Sequence, residues 1–126
     1  MHKSKLAGFI IDCRTDDLPA ASAFWSGALG MQRRGLDGSE GENYVRLLDA
    51  QHGLHIEVQK VTHESRLHLD IESDNVEAEV QRLEALGAKR VKHINTWWVL
   101  EAPTGQRFCV VRAQSKDFDQ LATQWP

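Results

Sequence analysis

Apolar and polar positions along the chain change their period several times, and each change marks an element. The run "LAGFIIDCR" is short, rich in isoleucine and phenylalanine, and followed by turn residues, which predicts a strand. In the next stretch, "TDDLPAASAFWSGALG", apolar residues at Ala21, Phe24, Trp25, Ala28 and Leu29 recur at helical spacing. Thr15, Asp16 or Asp17 supplies a cap, Pro19 suits the first turn, and Gly30 stands where the helix should end. "MQRRGLDGSEGENYVRLLDAQHGLHIEVQKV" then reads as three strands, separated by glycine-rich turns around Gly38 to Gly41 and at Gly53.

The same order follows a second time. "RLHLDIES" predicts a strand, and "DNVEAEVQRLEALG" predicts a helix capped by Asp74. Val76, Val80, Leu83 and Leu86 would form its buried stripe, with Gly87 at its close. "AKRVKHI", "TWWVLEAP" and "QRFCVVRA" give three more strands, the last two joined by the turn "APTGQ". The helical stretches also match locally, "DLPAASAFWSGALGM" against "DNVEAEVQRLEALGA". The chain therefore reads as an internal duplication of a βαβββ unit, each copy with too small a core to stand alone. The expected fold is α+β: two βαβββ units forming a curved, eight-stranded mixed sheet with the helices outside and a concave face inside. One domain spans residues 1–126, with unit one at about 6–60 and unit two at about 66–113. The tail, 114–126, reads as a loose helix or an arm laid on the body.

Composition narrows the partners. A chain of 126 residues can bury a core without staples, and 41% apolar with 26% charged residues is ordinary for a soluble globular protein. The net charge of -3, spread along the chain, argues against a nucleic-acid partner. No apolar run approaches the roughly 20 residues that span a bilayer, so no membrane partner is expected. "MHKSKLAGFIID" lacks the features of a secretory signal, and the expected location is cytoplasmic. Cys13 and Cys109 sit in apolar runs, where a thiol acts as a small hydrophobe and no disulfide is expected.

Chemistry concentrates in "HGLHIEVQKVTHESRLHLD", which holds four of the six histidines. Two His-x-acid pairs, His55 with Glu57 and His68 with Asp70, flank a short polar gap. Side chains two apart on a strand share a face, so each pair can meet on one side of a sheet. A neighbouring carboxylate raises a histidine's pKa and orients its ring, which makes His68 beside Asp70 the best candidate acid or base. The alternative is structural: both pairs are ion pairs filling a cavity that takes no ligand.

The segments "DLPAASAFWSGALGM", "HLDIESDNVEAEVQRLEALGA" and "EAPTGQRFCVV", in that order over about residues 6–113, resemble the vicinal oxygen chelate superfamily of glyoxalases, bleomycin-resistance proteins and dioxygenases. Trp25 after Phe24 and the "HLDI" string are similar to its glyoxalase-like domain group. The resemblance implies up to four inward metal ligands, from the first and last strand of each unit. Their positions here are Ile10, Glu57, His68 and Cys109, of which only Glu57 and His68 match. No cofactor is therefore expected; a divalent metal would have two matching ligands, with Cys109 favouring zinc and Asp12 offering a rearranged site. The inward face would also carry Asp12, His55, Gln59, Arg66, Asp70, Arg107 and Val111.

Two functions follow from the resemblance. The first is a lyase or isomerase acting on a small polar molecule, with His68 as acid/base, Asp70 or Glu57 orienting it, and Arg107 holding an anion. The second is a non-catalytic protein that sequesters an aromatic or antibiotic-like molecule. The expected catalytic residues are His68, Asp70 and Glu57; Asp12, His55, Trp98 and Arg107 are expected to bind ligand. Of the adjacent Trp97 and Trp98, one must line the inner face, and Trp98 is assigned to it. The expected partners are a small-molecule ligand and a second copy of the chain, since the resemblance implies a homodimer.

Overall fold

Strand and helix periods alternate twice in the computed structural model, which describes residues 1–126. The first pass is β1 (His2–Arg14), α1 (Leu18–Leu29), β2 (Gln32–Gly35), a one-turn α2 (Glu40–Asn43), β3 (Tyr44–Leu48) and β4 (His55–Val61). The second is β5 (Arg66–Ser73), α3 (Val76–Ala85), β6 (Lys89–Ile94), β7 (Trp97–Glu101) and β8 (Arg107–Arg112). A short α4 (Phe118–Leu121) and β9 (Thr123–Trp125) follow. The strands form one mixed sheet of nine, in the order β2-β3-β4-β1-β5-β8-β7-β6, with β9 pairing β1. The ninth strand is the addition to the eight expected.

Two compact units divide the chain: a first unit of Gly8–Leu67, and a second of Met1–Ala7 with His68–Pro126. Their layouts agree. In the first, β4 lies parallel to β1 and antiparallel to β3, with β2 beyond. In the second, β8 lies parallel to β5 and antiparallel to β7, with β6 beyond. The start of β1 belongs with the second half because β9 pairs it, His2 opposite Trp125 and Ser4 opposite Thr123.

Each helix covers one face of its unit's strands. Ile11, Leu47, Ile56 and Val58 pack with Leu18 of α1 in the first unit, joined by Ala21 and Trp25. Val110 and Leu100 pack with Val80 and Leu83 of α3 in the second, joined by Val76, Ile71 and Trp98. Four expected stripe residues lie outside these cores: Phe24 is 64% exposed and Leu86 67% exposed, and Ala28 and Leu29 are exposed as well. The caps also differ in detail. Asp17 caps α1 by accepting from the Ala20 amide, and Gly30 closes it in the left-handed region. On α3 the cap is Asn75, not Asp74; Asp74 instead accepts from the Lys3 amide at 2.8 Å. The Gly38–Gly41 turn leads into α2, where the Leu36 carbonyl sits so close to Gly41 that a β-carbon there would collide with it.

The tail is fixed on both sides. Glu72, fully buried, accepts from the Gln114 and Ser115 amides and from the Ser115 hydroxyl. Further on, the Trp125 indole donates to Ser4 Oγ at 2.8 Å, and the Arg82 guanidinium lies 3.7 Å from the Trp125 ring centroid. Arg82 also binds the buried Glu79 through two nitrogens, and Glu79 pairs with His2 at 2.8 Å. No helix is long and apolar enough to cross a membrane.

Candidate functional site

Pleating makes the polar face of the second unit. On β5, Ile71 joins the α3 core, so His68 and Asp70 lie on the opposite face. His68 Nε2 stands 3.7 Å from Asp70 Oδ1, with side chains 15% and 13% exposed. Cys109 on β8 is in register with Asp70. His68, Asp70 and Cys109 offer a nitrogen, an oxygen and a sulfur, all within 4.8 Å of one another. Three groups expected on one face thus converge, held by two parallel neighbouring strands.

The rest of that face is set by the β7–β8 register. Val99 is opposite Cys109, while Trp98 is opposite the buried Val110. Trp97, not Trp98, therefore shares the face of Cys109, which corrects the assignment made from the sequence. Trp98 lies on the helix side, stacked on His93 with centroids 4.7 Å apart and with the Arg90 guanidinium 4.8 Å from its ring. There it lines a cleft of about 580 Å³ with His93, Thr96 and Arg112. Arg107 sits two residues before Cys109, and its Nε is held by Glu101 at 3.2 Å. The guanidinium is already paired within its own hairpin.

In the first unit the face away from α1 carries the other expected residues. His55 Nε2 approaches Glu57 Oε1 at 3.2 Å. Asp12, nearly fully buried, has Arg66 Nε at 3.7 Å and His63 Nε2 at 3.9 Å from its carboxylate. Ile10 and Asp12 face Glu57 and Gln59 across the parallel β1–β4 ladder. Gly8 permits that ladder, because a β-carbon would stand 1.9 Å from the His55 carbonyl oxygen.

Two contributors went unread in the sequence: His63, beside Asp12, and Arg46. In register, Arg34, Arg46 and Glu57 form one row across β2, β3 and β4. The available signal was the polar arginine inside "YVRLL", one residue before a fully buried leucine.

A divalent ion belongs to the glyoxalase pattern, and the side chains present test whether it fits here. At the expected positions Ile10 offers only carbon, and Cys109 offers sulfur. The His68, Asp70 and Cys109 grouping has one oxygen donor among three, which does not fit the hard, oxygen-preferring, six-coordinate ions, whereas nitrogen, oxygen and sulfur together are a donor set that suits zinc.

The duplicated βαβββ units and the polar sheet faces define the vicinal oxygen chelate class. Within it, the chain belongs to the glyoxalase-like domain family, whose model matches residues 8–111. No curated protein matches. Among solved structures, methylmalonyl-CoA epimerase from Mycobacterium tuberculosis is similar at 13% identity and a TM-score of 0.65, covering 86% of this chain and 88% of that one. A hypothetical protein from Bacillus halodurans C-125 is similar at 14% identity and 0.61, covering 90% and 98%. A glyoxalase/bleomycin resistance protein/dioxygenase superfamily member from Vibrio splendidus 12B01 follows at 16% identity and 0.53, covering 85% and 98%.

Proposed function

We propose that the chain is an enzyme that binds a small polar molecule over the His68 face and moves a proton on it, in a lyase- or isomerase-type reaction. The observation that carries this reading is the half-buried His68 imidazole, 3.7 Å from Asp70 on the same face. A strand holds both side chains rigidly, which a proton-transfer group needs more than reach. His68 Nε2 takes the proton, and Asp70 stabilises the imidazolium that forms. Arg107 is the proposed ligand-binding group beside His68, exchanging its Glu101 partner for the ligand, and Asp12 and His55 are those of the first unit's own polar face. The structural likeness to epimerases is consistent, because epimerisation at carbon removes a proton and returns it. The chain acts as a homodimer in this reading, supported by the exposed leucines Leu6 and Leu69.

The test needs no knowledge of the product. The protein is incubated in D2O with a panel of small keto, hydroxy and thioester acids, and loss of carbon-bound proton signal is followed by NMR. Enzyme-dependent exchange into at least one compound is expected, slowed about 10²- to 10⁴-fold by His68→Ala. Saturable binding without exchange would instead favour the sequestering protein.

A further inference from the structure

The first unit holds a cation whose surroundings do not account for it. Arg46 on β3 lies opposite Arg34 on one side and Glu57 on the other. Like charges directly opposite in an antiparallel pair are unfavourable. The one carboxylate in the row is engaged elsewhere, since Glu57 Oε1 is 3.2 Å from His55 Nε2. Arg46 is half-buried, and its Nε is fully shielded from solvent with no hydrogen-bond partner. Burial, and then the Arg34 charge, push the Arg46 guanidinium below its ordinary pKa, with Glu57 opposing in part. A structural arginine would have its donors satisfied; a binding arginine is left for its ligand.

We propose that Arg46, with Arg34 beside it, is an oxyanion subsite that binds the carboxylate or phosphate group of a small acidic ligand on the α1-distal face of the first unit. The chemistry is that of paired guanidinium donors, which match the flat, two-oxygen edge of such groups. An anion between the two arginines also removes the like-charge conflict. The exposed Arg34 is the entry side; the Arg46 Nε is closed to water, so a bound oxygen satisfies it only as the guanidinium turns out toward Arg34. The inference goes beyond the proton-transfer reading and stands on a different unit, so either can fail alone.

The experiment follows the Arg46 Nε–H signal in ¹⁵N-labelled protein, assigned by its disappearance in Arg46→Met. Sodium phosphate and, separately, sodium acetate are added at constant ionic strength. A saturable shift with at least one ion is expected, with Arg34→Gln weakening that affinity about tenfold. Phosphate alone acting identifies a phosphorylated ligand, acetate alone a carboxylate; either supports the subsite. Arg46→Met is also expected to keep or raise Tm, because replacing a buried charge by an apolar group is often stabilising. A signal unmoved by both ions, an Arg34→Gln affinity equal to wild type, or a Tm loss above about 5 °C in Arg46→Met would overturn the proposal.

Discussion

A histidine at 68 and a carboxylate at 70 meet because a strand returns to the same face every second residue. That much was legible in the sequence, as was the pairing of His55 with Glu57. The tryptophans show the limit. Adjacent strand residues must point apart, but which one faces the polar side depends on register with β8, and register is a tertiary property. Arg46 was missed for a similar reason: its row, with Arg34 opposite, exists only once β2 and β3 pair. At this scale the expected outcome for Trp98→Ala is lower stability, by about 1 to 3 kcal/mol from lost packing. Ligand exchange per folded molecule should be unchanged. Urea unfolding and the D2O assay on one sample separate the two effects; exchange lost from a fully folded variant would count against the helix-side placement.

Elements were read well where one period ran uninterrupted. Both long helices and the duplicated strand order came from spacing alone, because tertiary packing buries the stripes the sequence lays out. Ends and stripe edges were less legible. Asp74 looks like a cap, but its carboxylate goes to the Lys3 amide, and Asn75 takes the cap instead. A donor about seventy residues away leaves no mark on local sequence. Gly8 is the element-scale position most open to test. Gly8→Ala is expected to destabilise by about 1 to 3 kcal/mol or more, since the new methyl must push β1 away from the His55 carbonyl. An unchanged urea midpoint would contradict the close approach of β1 and β4.

Glu72 links element to tail. Burial acts to raise its pKa, but bonds from the Ser115 hydroxyl, the Ser115 amide and the Gln114 amide, with Lys5 nearby, outweigh it and hold the group below the ordinary carboxylate value. A depressed folded-state pKa contributes stability above the unfolded value, about 4.3 for glutamate, and loses it as pH falls through the folded one. Glu72→Gln should therefore cost about 1 to 3 kcal/mol at pH 7. The gap from wild type should close as the medium is acidified below pH 4. Amide exchange at Gln114 and Ser115, measured at both pH values, checks this; a gap that does not change with pH would show that charge is irrelevant there.

Over the whole molecule, the family was legible because several separated motifs agreed in order, and the family match over 8–111 bears that out. The tail was not, since β9 has only three residues and owes its form to pairing with the start of β1. Light scattering is expected to give twice the chain mass, falling to a monomer on Leu69→Lys; a monomeric wild type would remove the homodimer from the account.

The most direct test of the proton-transfer centre is a crystal structure with the acid that exchanges fastest in D2O. Its exchanging carbon is expected within about 3.5 Å of His68 Nε2, a near-attack distance. A ligand ordered elsewhere, with His68 touching nothing but protein, would contradict the claim.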